Sequence, residues 1–323
     1  MRIQLPLALL TAAFACSLGT APANARARVF VASYGNDSNP CTFGSPCKTF
    51  QQAVNVVDAG GEVTAIDGAG FGPISITKAV TITSPDGVEA GIVPNPGSPA
   101  ISINTTGDVF LRGLTIEGNN SGTDGISLTG GGTGTLTTLG IVHCVIRHFT
   151  HDGIYLQPTN TLHLSILDTI ASNNAIDGID LSPSGNGTMA GVIDHSTTIS
   201  NGVDGMNVYG ANTTNTFITI NIVSSVTATN GRNGVNTYAT SPTGSFTVYV
   251  MVHDTNANQN SGDGFHVNGS SDIIFDHSQA FGNRGAAINI DAGAGGETFG
   301  DNHVYNPGFD LIGTLLPVGT GVF

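Results

Sequence analysis

The chain contains no tryptophan and is poor in charge, with 9 Lys and Arg and 23 Asp and Glu making up 10% of its 323 residues. Lysine does not recur after Lys78, and Arg147 and Arg232 are the arginines of the central region. A formal net charge of −14 repels phosphate backbones, which speaks against nucleic acid as a partner. A polyanionic ligand would need a bound cation or one of these few arginines. Beyond the N-terminus no segment is apolar enough to span a bilayer, so no transmembrane segment is expected. The four cysteines lack zinc-site spacing with histidine, which makes a zinc-finger reading weak.

What is present is glycine, at 45 residues, and a 39% hydrophobic fraction set out in short alternating runs, which suits a packed β core. Residues 1–25 have the form of a signal peptide: Arg2, an apolar stretch over residues 5–15, and Ala23-Asn24-Ala25 as a small-x-small cleavage site. Lipid anchoring at Cys16 is disfavoured by the Ala13-Phe14-Ala15 before it. The mature chain is therefore expected to be secreted or periplasmic, with 8 basic residues against 23 acidic ones, 8 − 23 = −15. Export favours a disulfide between Cys41 and Cys47 across a short turn. Cys144 is left unpaired.

The middle of the chain repeats a phrase, Asn-x-x-Asp-Gly-apolar-x-apolar. Its glycines are Gly125, Gly153, Gly178, Gly205, Gly234 and Gly264, with a decayed copy at Gly285, spaced by 28, 25, 27, 29, 30 and 21 residues. A period of this length that varies by a few residues marks stacked coils with loops of unequal length. With the glycine as position zero, +1 reads Ile126, Ile154, Ile179, Met206, Val235, Phe265, and +3 reads Leu128, Leu156, Leu181, Val208, Thr237, Val267. Both columns should point inward, leaving +2 and +4 outside. Position −4 reads Asn174, Asn201, Asn230, Asn260 and, after a two-residue deletion, Asn283; Asn119 joins if the first turn is longer. These asparagines are expected to adopt left-handed turn geometry and to stack as an amide ladder. Position −9 holds Cys144, Thr169, Ser196, Ser225, Thr255 and Ser278, so Cys144 reads as a buried structural thiol.

Upstream, Thr49 and Gln52 have capping-box spacing, and Phe50, Ala53, Val54 and Val57 form one apolar stripe. A short helix ending at Gly60-Gly61 is expected to cover the open end of the coil stack. Pro46-Cys47-Lys48-Thr49-Phe50-Gln51, with Gly35-Asn36-Asp37 before it, resembles the opening of exported bacterial right-handed β-helix repeat proteins of the pectate-lyase-like superfamily. That resemblance implies an all-β fold, a single-stranded right-handed parallel β-helix with an N-terminal capping helix. The expected division is 1–25 signal peptide, 26–61 lead-in and capping helix, and 62–323 β-helix with its C-terminal cap. Such coils host lyases, hydrolases, epimerases and non-enzymatic surface proteins, so fold alone does not choose among them.

The strongest chemical candidate is the −1 column: Asp124, Asp152, Asp177, Asp204 and Asp263, interrupted by Asn233. Carboxylates on coils about 4.8 Å apart repel by roughly 1 kcal/mol in water and more where solvent is limited. Turn residues accepting local amides, a calcium site of Asp152, Asp177 and Asp204, or an acid/base cluster of Asp152, Asp177, Asp180 and Asp204 all fit the pattern. The segment Asn174-Ala175-Ile176-Asp177-Gly178-Ile179-Asp180 is similar to a polygalacturonase motif, but the family's paired aspartates on the next coil, its Gly-His-Gly and its Arg-Ile-Lys are missing. Outward on the same face, Tyr155, Asn207, Tyr209, Asn236, Tyr238 and His266 are candidate sugar contacts. A second polar column, at −10, gives the pairs Asp194-His195, His253-Asp254 and Asp276-His277, which could bind a metal or shuttle protons but read rather as solvated turn residues, because neighbours on a strand face opposite ways. The expected partner is a polysaccharide or cell-surface glycan, bound or modified by a lyase- or glycosidase-like protein, with calcium a candidate cofactor. The alternative is a non-catalytic adhesive or structural coil.

Overall fold

The computed structural model describes residues 26–105, 107–129, 138–210, 217–240 and 247–319; the expected signal peptide, with Cys16, lies outside them. The chain winds through parallel coils, each adding one strand to three sheets of twelve, ten and ten strands. Within a central coil the path runs from the long, twelve-stranded sheet (Thr138–Val142) to a corner sheet (Val145–Arg147) and then to the sheet carrying the Asp-Gly phrases (Ile154–Gln157), here called the repeat sheet. The long sheet begins inside the lead-in: Arg28–Val31 pairs in parallel with Gly61–Ala65. The lead-in thus supplies the first rung of the solenoid.

The helix spans Phe50–Val56 and is capped by Val57, so it stops before Gly60. Thr49 accepts the Gln52 N–H at 3.1 Å, while the Thr49 N–H is taken at 2.9 Å by Asp37, so Asp37 supplies the second half of the cap. Phe50, Ala53 and Val54 are buried over the first coil, and Phe50 packs on Phe71 with ring centroids 4.9 Å apart. Cys41 and Cys47 form a disulfide beside this cap.

The +1 and +3 columns fill the interior as expected, all buried from Ile126 to Val267. Two sharp corners bound each strand of the corner sheet. At −10, His143, Asp168, His195, Ser224, Asp254 and His277 all have φ between 46° and 53°. At −5, His148, Asn173, Ser200, Thr229 and Gln259 are also left-handed, with φ between 54° and 60°. For Asn174, Asn201, Asn230, Asn260 and Asn283 the left-handed residue is therefore the one before the asparagine, whereas Asn119, at φ 51°, is itself left-handed. Each corner turns the next side chain inward, where it ladders. Asn174, Asn201, Asn230 and Asn260 each give backbone and side-chain N–H groups to the amide oxygen of the next coil's asparagine at 2.9–3.1 Å. At −9 the N–H of Cys144 meets Thr169 Oγ1 at 3.4 Å, and the hydroxyl series continues through Ser196, Ser225, Thr255 and Ser278. Burial pushes the Cys144 thiol up to about 11, consistent with a structural role.

Asn119 is exposed and outside the amide ladder, whose N-terminal member is the Phe149 N–H resting on Asn174. The seventh repeat is also framed differently. Phe265 pairs with Ile288, so Ala287 and not Gly285 occupies position zero. Asn283 then stands at −4 with no deletion. The glycines earn their place by close approach: a Cβ on Gly205 would lie 2.6 Å from the Gly234 carbonyl and 2.7 Å from Asn230 Nδ2.

Candidate functional site

The −1 aspartates form a buried ladder of their own. Backbone N–H groups of the column donate to the carboxylate one coil earlier: Asp152 to Asp124 at 3.3 Å, Asp177 to Asp152 at 2.8 Å, Asp204 to Asp177 at 2.7 Å, Asn233 to Asp204 at 2.9 Å. The expected local-amide acceptance is thus replaced by acceptance from the next coil. Asp263 accepts from Ala286 at 2.6 Å, and Asn233 holds its rung with an amide oxygen at 2.9 Å from the Asp263 N–H.

Burial of stacked carboxyls raises their proton affinity. Desolvation, with repulsion from neighbouring aspartates, pushes Asp152 up to about 7 and Asp177 up to about 8. Asp124 is also raised, chiefly by desolvation. Asp204, fully buried, is committed on both oxygens. Arg232 Nε reaches Oδ1 at 2.9 Å and Arg232 Nη2 bonds Oδ2, while Oδ1 also accepts from Asn233.

Asp180 is different in kind. It lies at +2 on the outer face, paired in register between Tyr155 and Asn207. Its Oδ1 accepts from the Ser182 hydroxyl and from Asn207 Nδ2 at 3.1 Å. Asn207 in turn accepts from Asn236 at 2.9 Å, and Asn236 from Asn268 at 3.3 Å. The groove floor is therefore an oriented chain of amides whose final acceptor is the Asp180 carboxylate. Desolvation leads in pushing Asp180 up to about 6, opposed by these hydrogen bonds. Tyr155, beside it, is raised by desolvation and by the Asp180 charge.

Along the same face runs an open groove of about 610 Å³. Five of the expected sugar contacts line it: Asn207, Tyr209, Asn236, Tyr238 and His266. Tyr209 and Tyr238 stack with centroids 5.2 Å apart and planes 24° apart. Tyr155 stands at the Asp180 end, outside this lining. Arg232, Asn233, Asp263, Asn268 and Asp291 complete the wall. Asp291, whose carboxylate lies 3.4 Å from His266 Nε2, was hidden by framing the last repeat on Gly285; with Ala287 at zero it falls in the +4 column of Tyr209 and Tyr238. Asp152, Asp177 and Asp204 are not a group of convergent metal ligands. Among the described residues, the one trio of His, Cys, Asp or Glu with ligand atoms within 4.8 Å of one another is His253, Asp276 and His277, elsewhere on the coil.

No protein-family model matches the chain, and no curated protein does. Among solved structures, the chain is similar to the crystal structure of pectate lyase Pel9A, with TM-score 0.62 and 14% identity over 92% of this chain and 81% of that one. It is also similar to a rhamnogalacturonan lyase, with TM-score 0.65 and 16% identity over 81% and 75% of the respective chains. At such identities the likeness fixes the fold, a pectate-lyase-like right-handed parallel β-helix.

Proposed function

We propose that this protein is a secreted polysaccharide-active β-helix that seats a glycan in the groove over Tyr209 and Tyr238 and exchanges a proton with it through Asp180. The observation that carries this reading is the position of Asp180: it is the carboxylate of the cluster that faces outward, at the acceptor end of the amide chain. The tyrosine stack offers an apolar platform for a sugar face, and the Asn207, Asn236 and Asn268 amides match sugar hydroxyls. Export accords with the Cys41–Cys47 disulfide.

Two neighbouring carboxyls whose proton affinities are pushed apart, Asp180 to about 6 and Asp177 to about 8, favour acid/base chemistry of the glycosidase kind. Asp177, at 4% exposure, acts from behind by holding a proton that limits the charge around Asp180. A β-eliminating reaction on a uronate needs a cation for the substrate carboxylate, and Arg232 is already bonded to Asp204. The groove wall carries Asp263 and Asp291, with Asp180 bonded to Asn207 at its end and Asp204 behind Arg232, so a neutral or weakly acidic polysaccharide suits it best. The second reading, a glycan-binding coil without turnover, rests on the ladder accounting for the −1 aspartates without chemistry.

The test is turnover and binding on a panel of neutral and acidic polysaccharides, with calcium and with chelator. Asp180→Asn should lower turnover by about 10²-fold or more while leaving binding in place. Tyr238→Ala should weaken binding about tenfold. Unchanged turnover in Asp180→Asn would remove the catalytic assignment, and binding without turnover by the wild type would select the second reading.

A further inference from the structure

At the corner between the long sheet and the corner sheet, far along the chain, lies a histidine–aspartate cluster that the groove does not use. His253 and Asp276 end adjacent strands of the long sheet, Val248–His253 and Ser271–Asp276, and are direct partners in the parallel register. Neighbouring positions on parallel strands project their side chains to the same side, about 4.8 Å apart. His277 follows Asp276 and, on ordinary strand geometry, would face away. Its φ of 47° breaks that alternation, and its ring comes to lie beside Asp276 and His253. The corner conformation thus turns a sequence neighbour into a third ligand.

The result is convergent. His253 Nδ1 lies 2.7 Å from Asp276 Oδ2, and His277 Nδ1 lies 2.8 Å from Asp276 Oδ1. Each ring presents its other nitrogen to a further carboxylate, His253 Nε2 to Asp254 at 3.0 Å and His277 Nε2 to Asp301 at 3.1 Å. A ring that offers one nitrogen to a cation and hydrogen-bonds a carboxylate through the other is how metal-ligating histidines are held in orientation. Three carboxylates, Asp254, Asp276 and Asp301, surround the two rings, and a divalent cation would offset their charge. One coil before His253 and Asp254 stand Val223 and Ser224, so the Asp194-His195 pair earlier in the same column has no histidine on the next coil, and among the described residues the three-ligand convergence is found at His253, Asp276 and His277.

We propose that His253, Asp276 and His277 form a binding site for a borderline divalent transition metal of the Zn²⁺ type, with Asp254 and Asp301 orienting the two rings. Mixed imidazole nitrogen and carboxylate oxygen ligands suit Zn²⁺ over the hard cations Ca²⁺ and Mg²⁺. The site joins consecutive coils near the C-terminal end of the solenoid, so a bound ion would act as a clip that stabilises the stack.

The test uses the full mature chain, untagged and stripped with chelator, titrated with Zn²⁺ alone by calorimetry, and with Co²⁺ to read ligand-field absorption. One ion per chain, displaced from preference by neither Ca²⁺ nor Mg²⁺, is expected. His253→Ala and the more conservative His277→Gln should each weaken Zn²⁺ binding at least tenfold and abolish the rise in melting temperature that Zn²⁺ gives the wild type. Both variants should melt near the chelated wild type without metal, which shows that they fold. Absence of stoichiometric Zn²⁺ binding would mean the cluster is a hydrogen-bond network only, and binding unchanged in both variants would place the ion elsewhere; either result overturns the proposal.

Discussion

Replacing Asp177 by asparagine should stabilise the protein at neutral pH, and increasingly so as pH rises. Asp177 is 4% exposed, and burial with its charged neighbours pushes it up to about 8. In the unfolded chain an aspartate titrates near 3.9. Between those values the folded state holds a proton that the unfolded state has released. Its contribution is therefore fully present below pH 4 and is lost as pH climbs through about 8. At pH 7 the interval is roughly 3 units, which at about 1.4 kcal/mol per unit sets an upper limit near 4 kcal/mol. Asparagine removes the ionisation and keeps the acceptor that the Asp204 N–H requires. Asn233 already fills a rung of the same ladder in this way, at 2.9 Å from the Asp263 N–H. We expect Asp177→Asn to equal wild type near pH 4 and to exceed it by about 2 to 4 kcal/mol at pH 7, read from urea midpoints across the range. Parallel pH profiles for the two proteins, or a variant less stable at pH 7, would refute the account of the ladder as a set of buried carboxyls holding protons.

Three further outcomes follow from the columns. Gly205→Ala should cost about 1 to 3 kcal/mol or more, because its Cβ would meet the Gly234 carbonyl and Asn230 Nδ2, both held by neighbouring coils, whereas Ala287→Gly in the same column should cost under about 1 kcal/mol; equal effects in thermal melts would contradict the framing on Ala287. Asn230→Ala strands the Asn201 backbone and side-chain donors and two acceptors, and should cost about 3 to 5 kcal/mol, so a loss below about 1 kcal/mol would show that the amide ladder is not a major stabilising feature. Cys144 should resist a thiol reagent in the native protein and react fully once unfolded, while Cys144→Ser should be tolerated because its column is otherwise hydroxyl; rapid native labelling would contradict its burial.

The fold was legible because each column has one job. Alternation at +1 and +3 gives the interior, and the recurrence of Asn at −4 and of small hydroxyls at −9 gives the ladders. The errors came where one residue type serves two physical purposes. Glycine is common both in left-handed turns and at close backbone contacts, and Asp-Gly read as a turn dipeptide. In the folded chain the corners fall on His, Asp, Ser, Asn, Thr and Gln at −10 and −5, and the repeat glycines are selected by the amide nitrogens packed against them. Following glycine into the last repeat then displaced its frame by two residues and hid Asp291. Asparagine 283, held by its ladder bonds, was the better anchor.

The site was legible only in part for a related reason. A stacked aspartate column looks catalytic in sequence because five carboxylates approach one another, yet most of them are occupied by the next coil's backbone N–H groups. The distinction lies in side-chain direction, which for −1 residues depends on the corner geometry and not on strand alternation. Asp180 sits inside a strand, where alternation does hold, and its outward course could be read from Ile179 and Leu181 being buried on either side of it. The same reasoning failed for Asp276 and His277, where a left-handed residue at the strand end cancels alternation and brings neighbours together. In a coil of this kind chemistry is therefore to be sought at two places: outward positions within strands, and the corner residues that follow them.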